Sequence, residues 1–312
     1  MEALLDRLIG SIDLSRTYIF PPPPRILLCG GQREETENSR FCSVRDALYR
    51  SAVTKGKDFY QHILLPENIF KFYMDSGYPD LLTFERDLAE LSTLTIVIPE
   101  GPGSIAELGA FSVLSEINKK LLVVIHEDHV DAPSFISNGP IRFLKELRDD
   151  SVVVHSWVIN DEGEFESFEE LPDLVDYLDD MTQEKAPKQL FDRNSASHQL
   201  FIILELLKVV LLATEKDLLN MLKKFGQQPV KNELQSRLKL LKHLDLVDVQ
   251  HYQSRSFYIL KRAEYRFVKF GKVADSEAID PMRVGVDFSE YYRENDKCRA
   301  RAYKKYITKN GN

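Results

Sequence analysis

One carboxylate stands out by its surroundings. In the run Pro99-Glu100-Gly101-Pro102-Gly103-Ser104-Ile105-Ala106-Glu107-Leu108-Gly109, Glu107 lies three residues after Ser104 and just past a glycine-rich turn. Two roles fit that spacing. Ser104 and Glu107 match the capping box S-x-x-E, in which the serine caps a helix and the glutamate returns to the cap's own amide. A carboxylate in the first turn of a helix is also held ionised by the helix dipole, which suits a nucleophile or an ion-pair partner better than a general acid. At the anomeric carbon of a ribosyl group it would stabilise an oxocarbenium-like transition state or form a covalent glycosyl intermediate. The leaving base then needs a proton, or a positive charge of its own.

Other residues extend this site. Gly101 and Gly103 let the backbone approach a ligand, and the amides from Ser104 to Ala106 would face an anion. A second glycine turn, Leu28-Cys29-Gly30-Gly31, closes the first strand of the same region. Cys29 reads as a core thiol, because no adjacent His or basic pair would activate it. Glu67 follows an apolar run, and Asn138 precedes Gly139-Pro140. Cys29, Gly30, Gly31, Glu67, Gly101, Gly103, Ser104 and Asn138 form the expected substrate-binding set around Glu107 as the catalytic carboxylate. His126 and His129 have an i, i+3 spacing, but the acids between them read as a polar loop, so neither a metal nor a cofactor is expected.

These residues need a scaffold at whose edge they can meet. Short apolar runs at 25–29, 62–65, 95–98, 121–125 and 151–154 alternate with helical patterns, which predicts an α/β fold, a doubly wound parallel sheet with ligands at its carboxyl edge. Residues 1–24 read as an amphipathic helix and a proline spacer, 25–158 as the sheet domain, and 159–190 as an acidic connector. That connector holds ten acids and no bases between Asp161 and Asp180. From 191 to 312 three helices and a hairpin predict a winged helix-turn-helix domain with a basic C-terminal tail. Its third helix offers Arg237 and Lys239, and the tail offers Lys297, Arg299, Arg301, Lys304 and Lys305, for contact with nucleic acid or a partner.

Composition narrows the class. With 312 residues, 43% hydrophobic and 29% charged, the chain suits a two-domain globular protein. Three scattered cysteines and no apolar run long enough to span a bilayer predict a cytoplasmic protein without disulfides or a membrane anchor. A net charge of −8 argues against a general nucleic-acid coat protein.

Gly103-Ser104-Ile105-Ala106-Glu107-Leu108-Gly109 resembles the G-[ST]-x-x-E-x-G segment of nucleoside deoxyribosyltransferases, where the glutamate attacks C1′. The stretch from Phe84 to Ile98 is similar to a second segment of that family and sets Asp87 at its base-contacting aspartate. The family usually has a further aspartate six residues before the nucleophile, where this chain has Gly101. A broader resemblance joins Ile26–Gly31, Leu65–Phe70, the run around Glu107 and Ser134–Leu144 to effector proteins encoded beside bacterial retrons. That resemblance implies a phage-defence toxin, a homo-oligomer held inactive by a reverse transcriptase and its RNA-linked single-stranded DNA. It further implies that the toxin cleaves the N-glycosidic bond of NAD or a related nucleotide, and nicotinamide in NAD already carries the leaving group's positive charge. A non-enzymatic nucleotide sensor with a DNA-binding winged helix, or an ordinary nucleoside deoxyribosyltransferase, are the alternatives.

Overall fold

The structure is a computed structural model describing residues 1–34, 40–162, 164–183, 188–193, 195–261, 263–274 and 280–310. From the N-terminus, α1 (Glu2–Gly10) and β1 (Ile12–Ile19) precede five strands, β2 (Ile26–Cys29), β3 (Ile63–Leu64), β4 (Leu94–Val97), β5 (Leu121–His126) and β6 (Val152–His155). Helices α2 (Val44–Thr54), α3 (Pro66–Ser76), α4 (Leu81–Glu90), α5 (Pro102–Ser112) and α6 (Arg142–Leu147) fall between those strands. A small hairpin of β7 (Val158–Ile159) and β8 (Phe165–Ser167) leads into α7 (Leu171–Gln183). Next come β9 (Gln189–Leu190), α8 (Ala196–Val210), α9 (Glu215–Lys224), α10 (Lys231–His243), β10 (Val247–Tyr252), β11 (Arg255–Leu260), β12 (Val268–Lys272), α11 (Pro281–Asn295) and α12 (Lys297–Asn310).

Two compact units result. One comprises Pro22–Lys71 and Leu81–Ala186; the other comprises Met1–Pro21, Phe72–Asp80 and Pro187–Asn312. This division differs from the sequence expectation at three places. The N-terminal helix and strand belong with the C-terminal unit, because β1 pairs antiparallel with β12 and with β9. Residues 72–80 join that unit as well. The acidic connector belongs instead to the sheet unit, where α7 buries Leu171, Leu174, Val175 and Leu178 and leaves its acids outside.

In the first unit the five expected strands form one parallel sheet in the order β3-β2-β4-β5-β6. The order reverses at β2, whose neighbours β3 and β4 both follow it in sequence. Residues pointing to one face, Ile26, Leu28, Ile96, Ile98, Leu122 and Val124, pack in a single core with α2 and α7. The alternate residues Leu27, Cys29, Val97, Val123 and Ile125 are buried too. Burial of both faces explains why these strands read as unbroken apolar runs.

The second unit is built on α8, which is buried at every position from Leu200 to Leu207. Thr214 caps α9, and Asp217 returns its carboxylate to the Thr214 amide at 2.8 Å. Helices α8 to α10 lead directly into the antiparallel β10–β11 hairpin. Among the described residues, no helix is long and apolar enough to cross a membrane.

Candidate active site

The turn before Glu107 is arranged differently from the expected cap. Gly101 is the N-cap, in an extended conformation with φ −153°, and Pro102 opens the helix with the φ that its ring already fixes. Ser104 therefore lies inside the first turn, where its hydroxyl accepts from the Gly101 amide at 3.1 Å and bonds the Gly101 carbonyl at 3.1 Å. The capping-box reading of Ser104 and Glu107 is thus corrected. The helix starts early enough to put Glu107 in its second turn, where it caps nothing.

Glu107 instead faces the end of β2. The buried Cys29 thiol donates to its carboxylate, and Glu85 of α4 shares a hydrogen bond with it. Burial, followed by the charge of Glu107, pushes the Glu85 carboxyl up to about 7, so near neutrality it holds a proton much of the time. Burial also raises Glu107, while the Cys29 thiol, the Arg45 guanidinium and Glu85 pull it back down. Cys29 itself is driven well above the ordinary thiol range by burial and then by Glu107, so it is a donor and not a nucleophile.

Arg45 supplies the positive charge. Its guanidinium grips Glu67 through two contacts of 3.1 Å, and one of its nitrogens lies 3.4 Å from the Leu28 carbonyl. Arg33 approaches the same Glu67 at 3.7 Å while lying 3.9 Å from the centre of the Tyr49 ring.

The glycine turn after β2 serves the protein's own carboxylate. Glu100 accepts from the amides of Gly31 at 3.1 Å, Val44 at 2.6 Å and Arg45 at 3.0 Å, and so occupies the anion position at the start of α2. A Cβ at Gly30 would meet Arg45 Cβ at 2.9 Å, and one at Gly31 would meet Ser43 Cβ at 2.6 Å. These two glycines are required by the approach of the turn to α2. Gly101 and Gly103 face open space, where an added Cβ would meet nothing within 4 Å. Above Glu100, a cavity of about 310 Å³ opens between Gly31, Ser43, Pro99, His126 and Trp157 at the carboxyl ends of β2, β4 and β5.

Asp87 is placed in a different buried cluster from the one expected of it. It is fully buried, 3.5 Å from Arg86, and its charge helps raise the pKa of Glu90 after burial has done so. Lys120 closes this cluster by donating to the Glu90 and Ser92 carbonyls at 2.7 and 2.6 Å. Glu85, two residues earlier on α4, is the carboxyl group that meets Glu107. Asn138 is exposed, within a π-turn at Ser137–Ile141, and bonds the Ser134 carbonyl. Among the described residues, no group of three His, Cys, Asp or Glu could hold a metal ion.

Of the expected nucleic-acid contacts, three are occupied inside the second unit. Arg237 is buried and donates to Gln199, and Lys239 donates to the Asp75 carbonyl at 3.1 Å. Arg299 is buried against Asp217 at 2.8 Å. Lys297, Arg301, Lys304 and Lys305 are exposed on α12.

Comparison with known proteins now decides the family. The family model for the STM3845 retron effector protein matches residues 41–249, about two thirds of the chain. The chain belongs to this retron effector family. The match spans α2 to α10, α5 and Glu107 included, and runs into β10. Two Escherichia coli proteins are similar over shorter stretches. The "Retron Ec86 putative ribosyltransferase/DNA-binding protein" is 37% identical over 92 residues, 29% of this chain and 30% of that protein. Its retron Ec73 counterpart of the same description is 35% identical over 86 residues, 27% of each chain. The aligned part of the retron effector is thus less than a third of either relative's length.

Proposed function

We propose that this retron effector is an N-glycosidase that uses Glu107 to break the glycosidic bond of NAD or a related nucleotide. The observation that carries the proposal is the carboxylate held between the Cys29 thiol, the Glu85 carboxyl and the Arg45 guanidinium, beside the carboxyl ends of the strands. In this reading Glu107 faces C1′ of the ribosyl group. As the bond to nicotinamide breaks, its electron pair passes to the ring nitrogen and neutralises the pyridinium. Glu107 stabilises the resulting oxocarbenium character or bonds to C1′. Water then adds at C1′ and gives up one proton, and Glu85, when ionised, is the base within reach of Glu107.

Hydrolysis fits better than base exchange. The deoxyribosyltransferase aspartate six residues before the nucleophile is replaced by Gly101, and the neighbouring Glu100 is committed to three backbone amides at the start of α2. The relatives' names pair a ribosyltransferase with a DNA-binding protein, which supports both a ribosyl site and a nucleic-acid module. We place that module in the second unit, reading α8 to α10 with the β10–β11 hairpin as a winged helix, and the first unit as a doubly wound, deoxyribosyltransferase-like domain. In the cytoplasm a reverse transcriptase and its RNA-linked single-stranded DNA would hold the homo-oligomeric toxin inactive.

The test is Glu107→Gln, which retains an acceptor for Cys29 and Glu85. Purified wild-type chain, freed of inhibitor, is expected to release nicotinamide from NAD, and the variant to lose that activity by at least about a thousandfold with its melting temperature preserved. Full turnover by the variant would show that Glu107 is not the catalytic group.

A further inference from the structure

The helix that a winged-helix reading sends into the major groove is in part engaged here by the protein's own chain. Along α10, Ser236, Lys239 and His243 share one face, at i, i+3 and i+7. His243 stacks on Phe72 with ring centres 4.3 Å apart. Lys239 donates to the Asp75 carbonyl at 3.1 Å, and a Cβ at Gly77 would lie 3.4 Å from the Ser236 hydroxyl. Residues 72–77 thus lie over this face, while Leu234, Leu238 and Leu241 are buried in the core. Ser236 and Arg237 are buried too, so from Leu234 to Leu241 only Gln235 and Lys239 reach solvent. Lys231, Asn232, Glu233, Lys242 and His243 remain exposed toward the ends of the helix, while the two middle side chains that reach solvent are engaged within the protein, Gln235 with Glu215 at 2.8 Å and Lys239 with the Asp75 carbonyl.

A different element presents the charge. On α12, Lys297, Arg301, Lys304 and Lys305 fall at i, i+4, i+7 and i+8, within about 100° of the helix circumference. All four are exposed, and none is paired with an acid among the described residues. The opposite face carries Arg299, Ala302 and Tyr306, which are buried, and Arg299 neutralises Asp217 and Asp296 on that side. The charges of Asp248 and Asp245 act on Tyr306, on that same packed face. Eight residues of helix separate the first cation from the last, a rise of about 12 Å. One strand of duplex DNA passes three or four phosphates over that distance, at about 3.4 Å each.

We infer that this retron effector holds nucleic acid through the phosphate backbone on the Lys297, Arg301, Lys304 and Lys305 face of α12, without reading sequence. This inference concerns the second unit and does not require that Glu107 be catalytic. Four phosphate contacts predict a salt slope, log K against log salt, of about −3.6 on duplex and about −2.8 on single strands. Duplex affinity should therefore fall by about a hundredfold between 50 and 200 mM salt.

The experiment measures fluorescence anisotropy of the full chain with a labelled 20-nucleotide single strand and with two 20-bp duplexes of unrelated sequence. The quadruple variant Lys297→Gln, Arg301→Gln, Lys304→Gln and Lys305→Gln should lose most of the salt slope on all three probes. Its melting temperature should stay unchanged, because all four side chains are exposed. Lys239→Gln should keep the wild-type slope, and the two duplexes should bind within about threefold of each other. Glu107→Gln should also keep the slope, so loss of glycosidase activity and loss of nucleic-acid binding are separate results. Any of four outcomes overturns the inference: no binding by wild type at 50 mM salt, an unchanged slope in the quadruple variant, a flattened slope in Lys239→Gln, or a tenfold preference between the duplexes.

Discussion

Glu85→Gln should stabilise the protein at alkaline pH and leave its stability almost unaltered in acid. The reason is the position of Glu85 against Glu107, where burial and the neighbouring charge raise its carboxyl from 4.5 to about 7. Because the native value lies above the unfolded one, the folded state holds an extra proton between about pH 4.5 and 7. Stability from this group is therefore lost as pH rises through that window and stays low above it. At about 1.36 kcal/mol per pH unit the displacement amounts to roughly 3 kcal/mol, and partial solvent screening reduces this to roughly 1–2 kcal/mol. Glutamine keeps the shape of the protonated acid and a donor toward Glu107, but it cannot ionise. Calorimetry at pH 5 and pH 8 should show the variant melting about 2–8 °C above wild type at the higher pH, and within about 1 °C of it at the lower. The pH profile of nicotinamide release gives an independent readout. Wild-type activity should change near pH 7, and the variant should lack that inflection. A stability difference of the same size at both pH values, together with an inflection that survives in Glu85→Gln, would refute the assignment of a shared proton to this pair.

Two structural substitutions test the frame around the site. Gly31→Ala places a Cβ about 2.6 Å from Ser43 Cβ and disturbs the Gly31 amide that Glu100 accepts, so it should cost roughly 1–3 kcal/mol in a denaturant titration and lower activity with it. Lys120→Met leaves the carbonyls of Glu90 and Ser92, at the end of α4, without their donor. It should destabilise the protein by roughly 2–4 kcal/mol, seen as a lower urea midpoint, while a melt unchanged from wild type would mean that water replaces the ammonium.

The sheet was legible because its strands are covered on both faces. A run such as Leu121–His126 has no polar alternation to confuse with a helix, and all five expected strands occur within a residue or two of the expected ends. The division into units was not legible for an opposite reason. β1 finds its partner in β12, across about 250 residues, and no local pattern records a pairing at that separation. The start of α5 could have been read more closely, since Pro102 favours the first helical position and pulls the cap back to Gly101.

The site itself was half legible. Glu107 announced itself by its turn, and Cys29 by ending a strand. The choice between Glu85 and Asp87 depended on the rotation of α4 against the sheet, because residues two apart on a helix point about 200° away from each other. A motif match fixes the element but not that rotation. Arg45 and Glu100 are 55 residues apart and meet only because β2 and β4 are neighbours, so neither could be placed from its own surroundings. The C-terminal segment shows the converse. By composition KCRARAYKKYITK is either a tail or a ligand-binding strip, yet its periodicity already separates 297, 301, 304 and 305 from 299, 302 and 306. That separation is what a helix with one packed face and one solvent face requires. It also explains why Arg299, a member of the same basic run, binds Asp217 while its neighbours remain available to a polyanion.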